Sequence, residues 1–357
     1  MISGNFSRIG QPTRLQDGDV RVTGALRYAT DLALPGMLHA RFVTSPYAHA
    51  LVRSIDTAAA RKVPGVVAVL TAEEMPDIVP ENRHSLLLAR DRVLFVGQPV
   101  ALVLAESEAA AEDGVEGVWV EYDPQPAAVR LDEALAEDAP LVWPGGVPGG
   151  SEEAGAHGAE VEGEAGEGGK PSNISNRVHF SRGDVDAGLA QADILVERTF
   201  TTSMVHQSYL EPHATVVQPD PLTGGATIWT STQAPFYVQE EVAEALGVPE
   251  SDVRVVATPV GGAFGGKFIL YEPLAALAAR QLGHPVRLVL TRMEEMLAGN
   301  PAPQARIKVR IGAKQDGSLT ALDAGLLFDS GCYPGSPVGI AGLMLGSYYQ
   351  VPNLDIR

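Results

Sequence analysis

The residues best suited to chemistry in this 357-residue chain are four glycines within six positions and the lysine that follows them. Gly261, Gly262, Gly265 and Gly266 allow the backbone to adopt positive φ angles and let a ligand approach the amides closely. Lys267 adds a positive charge directly after the last glycine. The sequence therefore predicts a loop that holds an anion through backbone N–H groups.

The segments beside these glycines predict how the loop is positioned. Residues 253–257 are rich in valine and typical of a buried β-strand. Apolar residues from Leu274 to Ala278 fall at helical spacing, and a Leu-Gly-His-Pro sequence ends that helix before a second strand at 286–290. The segment thus predicts a strand, a glycine-rich loop, a helix and a strand.

The composition indicates which kinds of binding partner and which cellular location suit this chain. A formal charge of −18 argues against nucleic acid and against an anionic membrane surface. The chain has no apolar run of membrane-spanning length, and residues 1–11 lack the core of a signal peptide. One cysteine, Cys332, excludes an internal disulfide or a cysteine-ligated cluster within this sequence. The expected location is the cytoplasm.

Changes in composition divide the chain into three parts. Alternating strand and helix patterns predict a compact α/β unit over residues 1–137, in which Leu38, Ala40 and Phe42 alternate with polar residues as in a half-buried strand. Residues 138–176 form an acidic, Gly- and Glu-rich linker or insert that cannot bury enough apolar surface to order itself. Its alternative role is a docking strip for a basic partner. Residues 177–357 form the second unit.

One candidate function for the glycine-rich segment is nucleotide triphosphate hydrolysis. Gly261, Gly266 and Lys267 satisfy the spacing of a G-x-x-x-x-G-K phosphate loop. That motif continues with Ser or Thr to bind magnesium, whereas this chain has Phe268. No apolar strand ending in Asp stands out as the metal-holding partner. The spacing therefore supports this function only weakly.

A resemblance to a known family extends along nearly the whole chain. Residues 261–267, GGAFGGK, resemble the GG-x-FGGK loop of the molybdenum hydroxylases, the large subunits of the xanthine dehydrogenase, aldehyde oxidase and carbon monoxide dehydrogenase family. Other family-like phrases lie at 206–213 (HQSYLEPH), 231–235 (STQAP) and 285–292 (PVRLVLTR). Phrases that resemble the family's α/β hammerhead domain lie at 22–24, 34–40, 64–66 and 96–101.

The resemblance implies a fold and a cofactor. It implies an α/β (α+β) chain with an α/β hammerhead domain followed by the first part of a molybdopterin-binding domain. The implied cofactor is molybdopterin cytosine dinucleotide, whose molybdenum is held through the pterin and not by protein ligands. The amides of Phe264 and Gly265 would approach an oxo ligand of the metal, and Gln207 would donate a second hydrogen bond there. The implied cofactor-binding residues are Gln207, Gly262, Ala263, Phe264, Gly265, Gly266 and Gln233.

Four further residues need an interpretation. His206 and His213 lack a third ligand at metal-binding spacing, so we expect them to pack or to form hydrogen bonds. Lys267 holds either an anionic part of the cofactor or a carboxylate, and the sequence does not choose between them. Cys332 lies outside the loop that carries the reactive cysteine in one branch of the family. We expect it to be a small buried apolar residue.

The resemblance also bears on substrate and partners. Purine-oxidising members have a glutamate after the loop lysine, whereas Phe268 stands there and is assigned to the substrate pocket. This favours an aldehyde, an aromatic N-heterocycle or an acyl thioester. Electrons would pass to a [2Fe–2S] small subunit and an FAD medium subunit.

The family's large subunit continues well past residue 357, and its general-base glutamate is expected there. No catalytic base is therefore assigned among residues 1–357. The sequence represents either a truncated product or one half of a split subunit whose partner carries the C-terminal half, and we expect it to be inactive alone. The alternative is a non-catalytic scaffold.

Overall fold

The computed structural model describes residues 12–77, 87–145, 172–333 and 337–357, together with Gly10 and the backbone of residues 160 and 161. Its strands are β1 Leu38–Thr44, β2 Ala50–Asp56, β3 Val66–Thr71, β4 Arg92–Val93, β5 Pro99–Ala105, β6 Trp119–Pro124, β7 Glu160–Val161, β8 Val178–Arg182, β9 Ile194–Thr202, β10 Ala214–Pro219, β11 Ala226–Thr230, β12 Val253–Ala257, β13 Val286–Val289, β14 Ala305–Ala313, β15 Leu319–Phe328 and β16 Asn353–Ile356. Its α-helices are α1 Gly18–Val22, α2 Glu108–Glu116, α3 Leu131–Ala134, α4 Val185–Ala190, α5 Pro235–Leu246, α6 Glu272–Leu282, α7 Arg292–Ala298 and α8 Val338–Ser347. Within these residues no helix is long and apolar enough to cross a membrane.

The largest sheet contains strands from both units, in the order β12-β11-β10-β13-β1-β5-β3. Strand β1 pairs in parallel with β13, with Leu38 opposite Val286 and Ala40 opposite Leu288. The sequence did not predict this continuity, because it joins segments that are far apart along the chain. The predicted boundaries of the units at residues 137 and 177 stay predictions.

Helices α5 and α6 cover this sheet and form the main core with it. Leu274 of α6 is fully buried, and the Tyr271 ring before this helix lies 4.7 Å from the Phe42 ring of β1, centroid to centroid. Burial of side chains of this size stabilises the fold by about 1.5–3 kcal/mol each. The core therefore fixes α6, the helix that follows the glycine-rich loop, against strands of the first unit.

A second sheet has the order β7-β8-β16-β15-β14-β9, and β4, β2 and β6 form a third. The hairpin of β14 and β15 turns at Gly317, whose φ of 88° suits glycine. The second sheet has its own apolar core, to which α8 contributes Val338. Strand β9 pairs antiparallel with β14, and β16 pairs in parallel with β15.

The predicted half-buried character of β1 is wrong. Both faces of this strand are covered, because Leu38, Ala40 and Phe42 belong to the main core, whereas Arg41 and Val43 lie on the opposite face against α2 and a separate apolar cluster. Arg41 and Val43, on the face predicted to be polar, are each less than 9% exposed. Arg41 is accommodated there because it donates to the Val289 carbonyl at 2.6 Å and pairs with Glu108.

The predicted acidic linker lies largely outside the described residues. Its described ends contact the folded body: the Trp143 indole N–H donates to the Cys332 carbonyl at 2.9 Å, and the Asn173 amide donates to the carbonyls of Ala134 and Pro140 at 3.2 and 3.1 Å. Cys332 is 7% exposed, which confirms the prediction that it is buried.

Candidate functional site

The glycine loop, residues 261–267, connects β12 to the segment before α6. Three of its residues have positive φ angles: 99° at Gly262, 49° at Phe264 and 89° at Gly265. Phe264 and Ser208 are the two non-glycine residues with positive φ in the described part of the chain. Such angles cost of order 1–3 kcal/mol at non-glycine residues and cluster at functional sites. Both strained residues lie in the region predicted to bind the cofactor.

The backbone amides of the loop are available to a ligand. The Gly266 N–H donates to the Ala263 carbonyl at 2.8 Å, which closes a tight turn. Over the described residues, the N–H groups from Gly262 through Gly265 donate to no protein acceptor. Phe264 and Gly265 are exposed, Gly262 and Ala263 before them are partly exposed, and Gly266 is buried. Four successive free donors in strained backbone can bind an anion or an oxygen ligand.

The cradle segment, residues 206–213, lies against the loop and explains two of its glycines. A Cβ atom on Gly261 would lie 2.6 Å from the Glu211 Cβ. A Cβ atom on Gly266 would lie 2.9 Å from both the Gln207 Oε1 and the Tyr209 Cε1. Real Cβ atoms do not approach so closely, so these positions require glycine for close packing.

Lys267 faces the protein and not a ligand. It is 1% exposed, and its ammonium lies 3.0 Å from the Glu211 carboxylate and 3.4 Å from the Pro212 carbonyl. The same nitrogen lies 4.7 Å above the Tyr209 ring, in a cation–π contact. Burial lowers the pKa of Lys267, and the Glu211 carboxylate opposes that change. Of the two roles left open by the sequence, the structure shows the contact with a carboxylate.

A fully buried carboxylate, Glu295 of α7, supports the cradle segment. It accepts hydrogen bonds from the Tyr209 hydroxyl, from the His213 backbone N–H at 2.7 Å and from the His213 ring at 2.9 Å. Burial alone would raise the pKa of Glu295. The hydrogen bond from His213, the charge on that ring and the hydrogen bond from Tyr209 outweigh burial and lower it from 4.5 to about 2.

Both histidines form hydrogen bonds, as the sequence predicted. Nδ1 of His206 accepts from the Ser208 N–H at 2.9 Å, and its Nε2 lies 3.5 Å from the Glu295 carboxylate. The His213 ring donates to the same carboxylate. Among the described residues no group of three or more His, Cys, Asp or Glu side chains is arranged to hold a metal ion.

The structure brings the predicted site residues together. Gln207 lies against Gly266, and its Oε1 is buried with no hydrogen-bond partner among the described residues. The Gln233 N–H donates to the Lys267 carbonyl at 2.8 Å, and the Gln233 Oε1 accepts from the Lys267 N–H at 3.4 Å. Phe268 is 46% exposed directly after the loop, so its ring can contact a ligand.

Sequence reasoning missed the residues that hold the cradle segment. It gave no role to Glu211, Tyr209 or Glu295, and none to Arg292, which donates to the Tyr209 and Leu210 carbonyls at 3.0 and 2.7 Å. No sequence signal marks Glu295, because the apolar Met293, Met296 and Leu297 of the same short helix are exposed. No local pattern indicates that Glu211 meets the loop.

Comparison with known proteins places this geometry in a family. A family model described as a molybdopterin cofactor-binding domain matches residues 167–357, more than half of the chain. The chain belongs to the molybdenum hydroxylase family. A model described as the a/b hammerhead domain of aldehyde oxidase and xanthine dehydrogenase matches residues 23–126. The predicted fold class, a hammerhead domain followed by a molybdopterin-binding domain, is confirmed.

Individual relatives agree with this assignment. The chain is 32% identical over 359 residues to a probable xanthine dehydrogenase component of Bacillus subtilis (strain 168), covering 97% of this chain and 44% of the relative. It is 30% identical to the large molybdopterin subunit of nicotinate dehydrogenase from Eubacterium barkeri, covering 99% and 78%. The crystal structure of a Cu,Mo-CO dehydrogenase superposes with a TM-score of 0.79 at 30% identity, covering 97% and 44%.

This molybdenum hydroxylase chain spans less than half the length of the curated relatives that it matches first, 44% and 41%. Its residues nevertheless fit the loop side of a molybdopterin site. The loop offers free amides from Gly262 to Gly265, and Gln207 offers a buried side-chain oxygen without a donor among the described residues. Both features are groups whose hydrogen bonds a bound cofactor would complete.

Proposed function

We propose that this chain binds molybdopterin cytosine dinucleotide through the glycine loop and forms part of the large subunit of a molybdenum hydroxylase. The run of free loop amides carries the proposal, because donors fixed in advance stabilise developing negative charge without reorganising. When bound, the molybdenum cofactor supplies the oxidation of a carbon atom with oxygen derived from water. The proposed cofactor-binding residues are Gln207, Gly262, Ala263, Phe264, Gly265, Gly266 and Gln233.

The residues of the chain hold and orient the cofactor. Phe264 and Gly265 would donate their N–H groups to it, and the strained φ of Phe264 keeps these donors turned away from protein acceptors. The Gln207 amide has hydrogen-bonding capacity that the described residues do not use. Lys267 would act indirectly, because its charge is already paired with Glu211.

We propose an aldehyde or an aromatic N-heterocycle as the substrate. Two exposed rings lie in the loop or directly after it, those of Phe264 and Phe268, which are 77% and 46% exposed. Such rings stack on flat, apolar substrates but cannot hydrogen-bond the edge of a purine. The name of the relative from Eubacterium barkeri contains nicotinate, which is an aromatic N-heterocycle.

The electron path and the base belong to other polypeptide segments in this proposal. The chain has one cysteine, too few for an iron–sulfur cluster, so electrons would leave to a [2Fe–2S] subunit and an FAD subunit. A glutamate in the part of the large subunit that corresponds to positions beyond residue 357 would act as the general base. We therefore propose a cytoplasmic hetero-oligomer in which residues 1–357 bind the cofactor but do not turn over alone.

Two matched glycines test the cofactor assignment. Gly265 and Gly317 have φ angles of 89° and 88°, and an added Cβ would meet nothing within 4 Å at either position. Alanine should therefore destabilise both by a similar amount, about 1–2 kcal/mol. Only Gly265→Ala disturbs the loop, so only this variant should lose molybdenum.

The variants should be produced with the partner subunits in a host that makes the cofactor, and molybdenum and released cytosine nucleotide should be measured. The unchanged protein and Gly317→Ala should retain both, and Gly265→Ala should retain little. Protein that carries neither molybdenum nor cytosine nucleotide, with all partner chains present, would overturn the proposed function.

A further inference from the structure

Glu211 contacts both ends of the glycine loop. Its Oε2 accepts a hydrogen bond from the Gly261 N–H at 2.7 Å and another from the Lys267 ammonium at 3.0 Å. The Glu211 backbone N–H also donates to the Gly261 carbonyl at 3.2 Å. One carboxylate oxygen therefore joins the first and last residues of the loop.

The loop between these two residues has little else to fix its shape. Its one internal backbone hydrogen bond among the described contacts runs from Gly266 to Ala263, and the amides before it are free. Glycine-rich backbone loses more conformational entropy on ordering than any other. A loop of this composition needs contacts with residues outside the loop to hold Phe264 and Gly265 in one conformation.

The contact between Glu211 and Lys267 is a buried ion pair. The side chain of Lys267 is fully buried and that of Glu211 is 9% exposed. The Arg292 guanidinium and the Glu295 carboxylate also act on the lysine charge, which lies over the Tyr209 ring. Removing one partner would leave the other charge buried without compensation, whereas removing both charges would not.

We propose that Glu211 is a positioning residue that sets the conformation of the glycine loop by joining Gly261 to Lys267. Its effect on the cofactor rests on the proposed function, but its effect on the loop does not. Three variants separate the hydrogen bond to Gly261 from the ion pair with Lys267. Glu211→Gln keeps an acceptor for Gly261 but leaves the ammonium unpaired, Lys267→Met leaves the carboxylate unpaired, and the double variant leaves no charge.

The first measurement is amide hydrogen exchange in the cofactor-free chain at Gly261, Gly266 and Lys267, whose N–H groups all donate within the protein. Each single variant should speed exchange at these amides by about tenfold or more, as expected for loss of a charge-assisted hydrogen bond. The double variant leaves no unpaired charge but also lacks the contact between Glu211 and Lys267, so exchange at these amides should stay faster than in the unchanged protein, and a return to the unchanged rate would show that only the unpaired charge matters. A purely structural change would instead shift exchange throughout the core.

The control is the Arg310–Asp323 pair of the second sheet, with its nitrogen and oxygen 2.6 Å apart. Arg310→Met and Asp323→Asn should not change exchange at the loop amides. Equal exchange in Glu211→Gln and the unchanged protein, or equal effects from the control pair, would overturn the proposal.

The second measurement uses the complex with its partner subunits and cofactor, reduced to Mo(V). Glu211→Gln and Lys267→Met should change its electron paramagnetic resonance spectrum, and the control variants should not. A spectrum that is unchanged in both Glu211→Gln and Lys267→Met would refute the proposed effect of Glu211 on the cofactor. Absence of molybdenum from the unchanged complex would refute the proposed function instead, and the exchange result would still decide whether Glu211 sets the loop.

Discussion

The stability of this chain should depend on the ionisation of Glu295 beneath the cradle segment. Its side chain is fully buried, so solvent does not screen its interactions. The change in its pKa from 4.5 to about 2 corresponds to about 3 kcal/mol, at about 1.4 kcal/mol for each tenfold change in the ionisation constant. Because the pKa is lowered on folding, this stabilisation is present above the ordinary pKa of 4.5 and is lost as pH falls through about 2.

Urea unfolding of the unchanged chain and of Glu295→Gln between pH 6 and pH 3 measures this contribution, because other carboxylates cancel in the difference between the two proteins. The advantage of the unchanged chain should shrink by about 2 kcal/mol over this range. Tyr209→Phe, which removes one donor to Glu295 but keeps the ring beneath Lys267, should show a smaller pH dependence than the unchanged chain. A difference that does not vary with pH would show that Glu295 is not held ionised by these hydrogen bonds.

Two further substitutions test the packing of the loop and the proposed substrate pocket. Gly266→Ala should lower the free energy of unfolding by about 1–3 kcal/mol, because the added Cβ would overlap Tyr209. The control is Gly145→Ala, where the added Cβ meets nothing, and it should change the free energy of unfolding by less than about 0.5 kcal/mol. Equal unfolding free energies for these two variants would contradict the close packing. Phe268→Ser should raise KM for an aromatic substrate by about tenfold or more in the assembled enzyme, as loss of apolar contact predicts. Leu222→Ser, at an exposed turn, should leave KM unchanged, and an unchanged KM in Phe268→Ser would remove that residue from the pocket.

Local features of the fold were predictable from sequence, and long-range ones were not. The strand, loop, helix and strand around residues 261–267 follow from valine content, helical spacing and Gly283, whose φ of 67° ends α6. The parallel pairing of β1 with β13 leaves no local signal, because either strand would look the same beside another neighbour. The error in the burial of β1 is also a long-range effect, since its second face is covered by α2, whose Glu108 pairs with Arg41 across 67 positions of sequence.

Some residues of the candidate site could be predicted from the sequence, and others could not. The loop and Gln207 could be predicted because glycine spacing and a family phrase mark them, and the structure places them in contact. Glu211 could not, because it meets Lys267 across 56 positions of sequence and no motif links the two. Buried charge pairs of this kind are specified by the folded environment, in which each partner compensates the other.

The environment of Lys267 explains why the loop can match the spacing of a nucleotide phosphate loop and still serve another ligand. In a phosphate loop the lysine reaches the ligand's phosphates, whereas here its ammonium is buried against Glu211 and over the Tyr209 ring. The donors that remain for a ligand are the neutral amides from Gly262 to Gly265. The loop therefore lacks the free lysine charge that a phosphate loop directs at its nucleotide, and its amides alone contact the ligand. The site therefore recognises its ligand through backbone geometry, and the charged residues act by holding that geometry in place.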